Sequence, residues 1–351
     1  MKLKKEFADF YKDIRIDSES HALKDKREIL QDDIKSKLPG ILGDHGISIT
    51  RRDIRMIDQG SYKYNTTIKD DVVDRDVAVM IPLCTSDNSD PRKIKGYLRE
   101  SIDITSRTVL IKEPCVRASY IENGKEWLHI DLPLYAEDGS SIYLARGKEF
   151  GSEYSWEPAD PDGLNDYLCG KINGNDQLRR IICFIKKWRN EKYSDSASDH
   201  EIPPSIGLTL LACDCFSAQS TDEGDDDLLS LQKTMKGILN QFTYTYDSDF
   251  NRVWTITRCL PVTPCTDVFK KMKDSSSSYM TTFHNRLSKA VDNLTNAVNV
   301  ESAHDAGKYV EKVLGDEFKV PAKEAVAAAA QNKREHSFGR KYDCKRNTGI
   351  V

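Results

Sequence analysis

The sequence predicts an α+β protein, and two observations carry that prediction. Short strand-like runs, separated by turn signals at Asn123-Gly124 and Asp138-Gly139, fill most of the first half. From Pro158 onward, apolar residues instead recur with the period of an α-helix. We therefore expect a mixed sheet with flanking helices, followed by a mainly helical lobe.

The length of 351 residues exceeds that of one simple domain, which favours two lobes. The stretch after Pro321 is predicted to contain an Ala-rich helix and then many Lys and Arg residues with few apolar ones, so we expect a mobile tail there. The expected boundaries are 1–157 for the N-terminal helices and the first lobe, 158–320 for the helical lobe, and 321–351 for the tail.

The elements are predicted from periodicity and from stop signals. Residues 2–38 should be helical, with a break near Asp17-Ser18 and an end at Pro39-Gly40. The expected strands are 72–81, 109–111, 115–121, 127–135 and 141–144. The expected helices of the second lobe are 163–172, 176–191, 205–218, 227–241, 264–272, 279–300 and 303–314.

Composition narrows the class of protein. With 38% hydrophobic and 31% charged residues, the chain should fold as a globular protein, and its longest apolar runs are too short to span a membrane. A formal net charge of −4 argues against coating nucleic acid by bulk electrostatics. The nine scattered cysteines indicate reduced thiols, and a cytoplasmic location is the expectation. The acidic stretch 222–227 is interpreted as a solvated connection.

Two carboxylates on one apolar strand are the first chemical signal. Asp74 and Asp76 are two residues apart, so they share a face of a strand, while Val77 and Val79 face the other side. Two adjacent carboxylates repel each other, and a divalent cation would neutralise them. The alternative is a strand end with solvated carboxylates.

Two neighbouring segments favour the metal-binding interpretation. Gly60-Ser61 has the composition of a loop that holds phosphate at the start of a helix. Asp131 offers a third carboxylate on another strand, with His129 on the same face. Three carboxylates on adjacent strands can hold two Mg²⁺ ions, with Mn²⁺ as an alternative metal, for the transfer of a nucleotidyl group.

The amino-acid sequence of these segments resembles that of a known family. Residues 59–66 read Gln-Gly-Ser-Tyr-Lys-Tyr-Asn-Thr, and residues 129–135 read His-Ile-Asp-Leu-Pro-Leu-Tyr. Together with Asp-x-Asp at 74–76, they resemble the bacterial cGAS/DncV-like nucleotidyltransferases (CD-NTases), which are DNA polymerase β-type enzymes. The resemblance extends from about residue 1 to about residue 315. It implies a two-lobed polymerase β-like core with the active site in the cleft between the lobes.

The resemblance also implies roles for individual residues. Asp74, Asp76 and Asp131 would be the catalytic residues and metal ligands, with Asp131 the best candidate to assist deprotonation of the attacking hydroxyl. The expected nucleotide-binding residues are Gln59, Gly60, Ser61, Tyr64, Arg117, Lys186 and Ser205.

Several of these residues have a plainer interpretation. Lys186 would contact the triphosphate, or it would be an ordinary solvated helix lysine. Ser205 would contact phosphate, or be an ordinary N-cap or first-turn serine, and both can hold at once. Arg117 would reach a base or phosphate, or form a surface ion pair. Tyr62 and Tyr64 could stack on a base, although a core role is favoured for at least one of them. For His129, a supporting role is favoured over direct catalysis.

The implied function is Mg²⁺-dependent synthesis of a cyclic di- or trinucleotide messenger, with release of pyrophosphate, in antiviral (phage) defence. The NTP substrates would be ATP or GTP, with pyrimidine NTPs as further candidates, and a separate effector would bind the product. The alternatives are a template-independent transferase that makes linear oligonucleotides or modifies RNA or protein, and an inactive nucleotide-binding scaffold.

Two departures from related proteins limit these expectations. The zinc ribbon of animal cGAS has no counterpart in the spacing of His and Cys residues, so stable DNA binding is not expected. The final residues, Gly349-Ile350-Val351, differ from the small C-terminal residue expected for relatives that are conjugated to a target. Conjugation of this chain is therefore not implied.

Overall fold

The computed structural model describes residues 2–16, 21–69 and 72–323. An eight-stranded sheet dominates the first half, in the order β3-β4-β5-β2-β6-β7-β8, with β1 paired to β2. The strands are β1 Arg55–Gln59, β2 Val73–Pro82, β3 Thr108–Ile111, β4 Val116–Glu122, β5 Lys125–Leu132, β6 Leu134–Asp138, β7 Ser141–Gly147 and β8 Tyr154–Pro158. The predicted break at Asp17-Ser18 and nearly all of the predicted tail lie outside the described residues.

The centre of the sheet is β2, and its alternation follows the prediction. Val77, Val79 and Ile81 are buried in one core, whereas Ala78 and Met80 pack on the opposite face. β5 and β6 follow β2 in parallel and in one unbroken register, so that Asp74 pairs with His129 and Met80 with Tyr135. The predicted single strand 127–135 is thus divided only at Pro133, which has no backbone N–H to donate.

Helices cover the sheet on its apolar face and build the second half. They are α1 Lys4–Ile14, α2 His21–Asp44, α3 Gly60–Lys63, α4 Pro91–Ile102, α5 Pro161–Ile172, α6 Asp176–Lys192, α7 Ser205–Cys215, α8 Asp227–Leu239, α9 Lys270–Ser275, α10 Ser277–Asn299 and α11 Ala303–Leu314. Two short hairpins pair β9 Ser220–Thr221 with β10 Gly224–Asp225, and β11 Thr243–Tyr246 with β12 Arg252–Thr255. The predicted α+β class is confirmed.

The protein has two main hydrophobic cores. One lies between the sheet and helices α2 and α4, with Leu38 and Leu98 among its members. The other is formed by the second-half helices, but it also takes in Phe7 and Phe10 of α1. Helix α1 therefore packs with the helical half. The division of the chain at residue 157 stays a prediction.

Three local predictions are wrong. Pro39 does not end the first helical region, because α2 continues to Asp44, with Leu38 and Leu42 buried on one side of it. Burial of this apolar stripe outweighs the lost backbone hydrogen bond. The predicted helix 264–272 begins only at Lys270, because Cys265 has a φ of 58°, which a right-handed helix does not contain. The acidic stretch 222–227 is a solvated connection only as far as Asp225, because Asp227 is buried and paired with Arg180.

No helix within the described ranges is long and apolar enough to cross a membrane. The eight cysteines in the described part of the chain are free thiols, in agreement with the predicted reduced state.

Candidate active site

Three carboxylates come together where β2 and β5 run side by side. The register pairs Asp74 with His129 and Asp76 with Asp131. Ligand atoms of Asp74, His129 and Asp131 all lie within 4.8 Å of one another. The strand period therefore brings the predicted carboxylates to one face of the sheet, as the sequence analysis expected.

Two basic side chains hold the outer carboxylates. The Nε2 atom of His129 lies 2.9 Å from Oδ1 of Asp74, while its Nδ1 is 3.3 Å from Oε1 of Glu126. Arg117 donates from Nε and Nη2 to the two oxygens of Asp131, at 2.6 and 2.7 Å. His129 thus has the supporting position that was favoured for it. Arg117 is an ion-pair partner of Asp131, and its contact with nucleotide stays a prediction.

The central carboxylate, Asp76, has the surroundings least favourable to its ionised form. Burial raises its pKa to about 7, and the charges of Asp74 and Asp131 add to the increase. For Asp74, burial opposes ionisation, but the hydrogen bond from His129 and the positive charges of His129, Arg117 and Lys186 together lower the pKa. Crowded carboxylates that repel one another in this way would be stabilised by a cation.

The backbone at residue 60 passes so close to a carboxylate that only glycine fits there. Its φ is +66°, and a Cβ built at this position would lie 2.1 Å from Oδ2 of Asp76. Only glycine combines this left-handed backbone with the required space. Gly60 begins α3, directly after β1, and the antiparallel pairing of Gln59 with Asp76 places the Gly-Ser segment beside the carboxylates.

The segment after Gly60 is held by its own hydroxyl groups. Ser61 Oγ and Thr67 Oγ1 are 3.1 Å apart, and the backbone N–H of Thr66 donates to the carbonyl of Ser61 at 2.9 Å. These bonds curl the chain into a compact loop behind the carboxylates. The contact of Ser61 with triphosphate stays a prediction, and the position of Ser61 next to Gly60 is compatible with this contact.

The two tyrosines of this segment have different surroundings. Tyr64 is buried, and its hydroxyl donates to Oδ1 of Asn165 at 2.6 Å, which joins the Gly-Ser segment to α5. Burial raises its pKa. Tyr62 packs against the guanidinium of Arg75, with Cζ 3.3 Å from the ring centroid. At least one tyrosine therefore has the core role that was favoured. Base stacking by Tyr64 stays a prediction.

Lys186 reaches this segment from the helical half. Its side chain is buried, and the residue is only 5% exposed, which excludes the interpretation as a solvated helix lysine. Nζ donates to the carbonyl and to Oγ1 of Thr66, at 3.1 and 3.2 Å. Burial lowers its pKa to about 8, while Asp74 and Asp76 are close enough to raise it through their charges. Its contact with triphosphate stays a prediction.

Ser205 is the first residue of α7, with Pro204 in the N-cap position. Its hydroxyl accepts a hydrogen bond from Arg189 of α6 and makes no capping bond. The structure therefore supports the first-turn position, and not the helix cap. The contact of Ser205 with phosphate stays a prediction.

A cavity of about 380 Å³ adjoins the carboxylates. Its walls include Gln59, Gly60, Tyr64 and Asp76 from the first half, and Ile206 from α7. Cavities of this size hold small-molecule ligands. Sequence reasoning missed further wall residues, which come from distant segments and carry no motif: Tyr135, Arg146, Asn165, Leu260, Thr263 and Thr266.

The donor atoms fit a divalent cation. Carboxylate oxygens are the ligands that Mg²⁺ and Mn²⁺ prefer, and the mutual repulsion at Asp76 gives a cation a favourable site. His129 also offers a ring nitrogen within the same cluster, which suits Mn²⁺ better than Mg²⁺. Asp74, Asp76 and Asp131 are thus chemically suited to the predicted metal site.

Comparison with solved structures gives the fold of most of the chain. Vibrio cholerae DncV cyclic AMP-GMP synthase, solved with the linear intermediate 5′ pppA(3′,5′)pG, matches at 16% identity and a TM-score of 0.67, covering 91% of this chain and 96% of that one. The same enzyme with nonhydrolysable GTP matches at 17% identity and a TM-score of 0.66, covering 92% and 99%. At this identity, the likeness establishes a shared fold.

Sequence comparison identifies the catalytic region. No curated protein matches the chain. Residues 54–135, which contain all three carboxylates and the Gly-Ser segment, match the family model for the nucleotidyltransferase domain described as cyclic GMP-AMP synthase DncV-like. The predicted enzyme class is thereby confirmed: the chain carries a DncV-like nucleotidyltransferase domain within a DncV-like fold.

Proposed function

We propose that the protein joins nucleoside triphosphates into a cyclic di- or trinucleotide in a metal-dependent reaction. The observation that carries this proposal is the meeting of Asp74, Asp76 and Asp131 on one face of the sheet, with Asp76 against Gly60 and at the wall of a cavity of about 380 Å³. Carboxylates can hold the divalent cations that accompany a triphosphate, and the neighbouring glycine lets the backbone come close to phosphate.

Each residue of the site has a role in this proposal. Asp74, Asp76 and Asp131 would hold Mg²⁺ or Mn²⁺, which when bound supplies positive charge to the triphosphate and to the attacking hydroxyl. Gly60 and Ser61 would bring backbone N–H groups and a hydroxyl against phosphate oxygens. Lys186 would add a point charge from the helical half.

Asp131 is proposed to assist deprotonation of the ribose hydroxyl. Each of its oxygens accepts one hydrogen bond from Arg117. A carboxylate has about four lone-pair positions, so further positions stay available for the hydroxyl or a cation. Arg117 would therefore orient Asp131 without blocking it.

The cyclic product and its use rest on the resemblance to CD-NTases and on the fold. The matched DncV structures are described with GTP or with a linear pppApG intermediate, which supports NTP substrates for this chain too. We propose a role in antiviral defence, in which a separate effector binds the product. A transferase that makes linear products is the second candidate, because the carboxylates alone would serve either reaction. An inactive scaffold is disfavoured, since all three carboxylates are present.

The test is an incubation of the purified protein with radiolabelled NTPs and Mg²⁺ or Mn²⁺, followed by phosphatase. A phosphatase-resistant small product is expected for a cyclase, whereas phosphatase-sensitive products would show linear synthesis. Absence of pyrophosphate release with every NTP mixture and both metals would refute the proposal. The Asp76→Asn variant is the control for contaminating enzymes.

A further inference from the structure

A second pocket, of about 450 Å³, lies away from the carboxylates between α1 and the start of α6. Six of its lining residues are Lys or Arg and three are Asp, so its net charge is positive on a chain whose total charge is −4. The cationic residues are Lys2, Lys4, Lys12, Arg15, Arg179 and Arg180. Clefts lined by one sign of charge concentrate ions of the opposite sign.

Two of the three acidic residues of this pocket, Asp225 and Asp227, already pair with Arg180. Arg180 donates to Asp227 from Nε at 2.6 Å and to Asp225 from Nη2 at 2.8 Å. Asp227 also accepts from Gln177 at 3.3 Å. Arg180 therefore offsets part of this negative charge, and with six cations against three carboxylates the pocket keeps a positive net charge.

Arg179 supplies a second, independent observation. Its guanidinium pairs with Asp176 through one terminal nitrogen, but its Nε–H is buried without a hydrogen-bond acceptor among the described residues. Such an unsatisfied donor costs free energy. Asp176 accepts from only one of the five N–H donors of Arg179, and a guanidinium suits phosphate oxygens because its donors form a planar fork.

The rest of the pocket is apolar. Phe7, Ala8 and Tyr11 of α1 line one wall, and Leu228 of α8 lines another. Cations around a partly apolar cavity of this volume suit a compact ligand that combines several negative charges with a small organic body. A long nucleic acid would instead need an extended basic surface.

This pocket is separate from the proposed triphosphate site. Arg179 and Lys186 both lie on α6, seven residues apart, which corresponds to about 10 Å along a helix axis. Lys186 points to Thr66, whereas Arg179 lines the pocket beside α1. We propose that the pocket between α1, α6 and α8 is a non-catalytic binding site for a small, multiply phosphorylated anion.

The test is calorimetric titration with inorganic tripolyphosphate in the presence of a chelator, so that no turnover is needed. We expect Arg179→Glu to weaken binding by about tenfold or more, because it removes one cation and adds one anion. Lys93→Glu is the matched control, since Lys93 is an exposed cation in the first turn of α4 and lies outside the pocket. It should change the affinity by less than about twofold.

Lys186→Met separates this site from the catalytic cleft. Binding that survives in Arg179→Glu but is lost in Lys186→Met would place the anion in the cleft and overturn the proposal. Absence of binding to the wild-type protein would overturn it as well. If Arg179→Glu is misfolded by circular dichroism, Arg179→Gln takes its place, with a smaller expected loss. The result is independent of catalysis, so failure of the cyclase assay would leave it intact.

Discussion

The two halves of the candidate site are built in different ways. In the sheet, Asp74, Asp76 and Asp131 share a face because strand side chains alternate and because two strands run in register. In the helical half, Lys186 reaches the site because α6 packs so that its side chain ends at Thr66. The first half is set by local geometry, and the second by the packing of distant segments.

This difference predicts different consequences of substitution. Changes in the sheet half should abolish chemistry, because the carboxylates are neighbours that act as a unit. Changes in the helical half should weaken binding of the substrate, since Lys186 acts from one side of the cavity.

The largest effect is expected for Asp76→Asn. Loss of the central carboxylate should lower the rate of pyrophosphate release by a factor on the order of 10³ or more, because the cation site loses its central ligand. Turnover is measured with Mg²⁺ and with Mn²⁺, and folding by thermal denaturation. Near wild-type turnover would refute the metal assignment.

Gly60→Ala should be next, with a loss of turnover of about 10²-fold and a loss of stability of about 1–3 kcal/mol. The added methyl group would collide with Asp76 in a backbone conformation that alanine rarely adopts. Gly124→Ala is the matched control, because its φ is +75° but no atom lies within 4 Å of its added Cβ. The free energy of unfolding of that control should fall by only about 1 kcal/mol, from strain of the left-handed backbone, and its turnover should be unchanged.

Lys186→Met should mainly raise the KM for NTP, by about tenfold, as expected when one charge-assisted phosphate contact is lost. Lys187→Met is the control from the same helix, because Lys187 pairs with Glu191 and Glu317 instead of Thr66. Steady-state kinetics of both variants would distinguish the two positions. An unchanged KM in Lys186→Met would remove this lysine from the substrate site.

A separate prediction concerns the stability of the protein without metal. Because the pKa of Asp76 is raised from 3.8 to about 7, the folded protein retains a proton that the unfolded chain has released between these values. The free energy of unfolding should therefore fall as pH rises from about 4 to 7, by at most about 4 kcal/mol for this group. Denaturant unfolding in a chelator measures it.

Asp76→Asn isolates this contribution, since other carboxyl groups titrate in the same range. The fall in stability should be smaller in the variant than in the wild-type protein. Addition of Mn²⁺ should reduce the fall in the wild-type protein only. Parallel pH profiles for the two proteins without metal would contradict the crowding of carboxylates at Asp76.

Much of the sheet could be predicted because its signals are local. The alternation around Val77 and the turn at Asn123-Gly124 act within a few residues, and the structure has strands on both sides of that turn. Strand β1 and helix α4 were missed, although Asp90-Pro91 is a helix start signal and Ile94, Leu98 and Ile102 are buried at helical spacing in α4. The helix through Pro39 was mispredicted because the stop signal is local, while burial of Leu38 and Leu42 depends on the sheet.

The sequence by itself indicated the candidate residues for chemistry: a carboxylate pair on one strand face, a third carboxylate, and a Gly-Ser pair upstream of them. The physical reason is that side-chain alternation and backbone sterics depend on nearest neighbours along the chain. Only the tertiary structure decided that Arg117 binds Asp131, that Asn165 holds Tyr64, and that a basic pocket forms between α1 and α6. Those contacts join segments far apart in sequence, and packing alone brings them together.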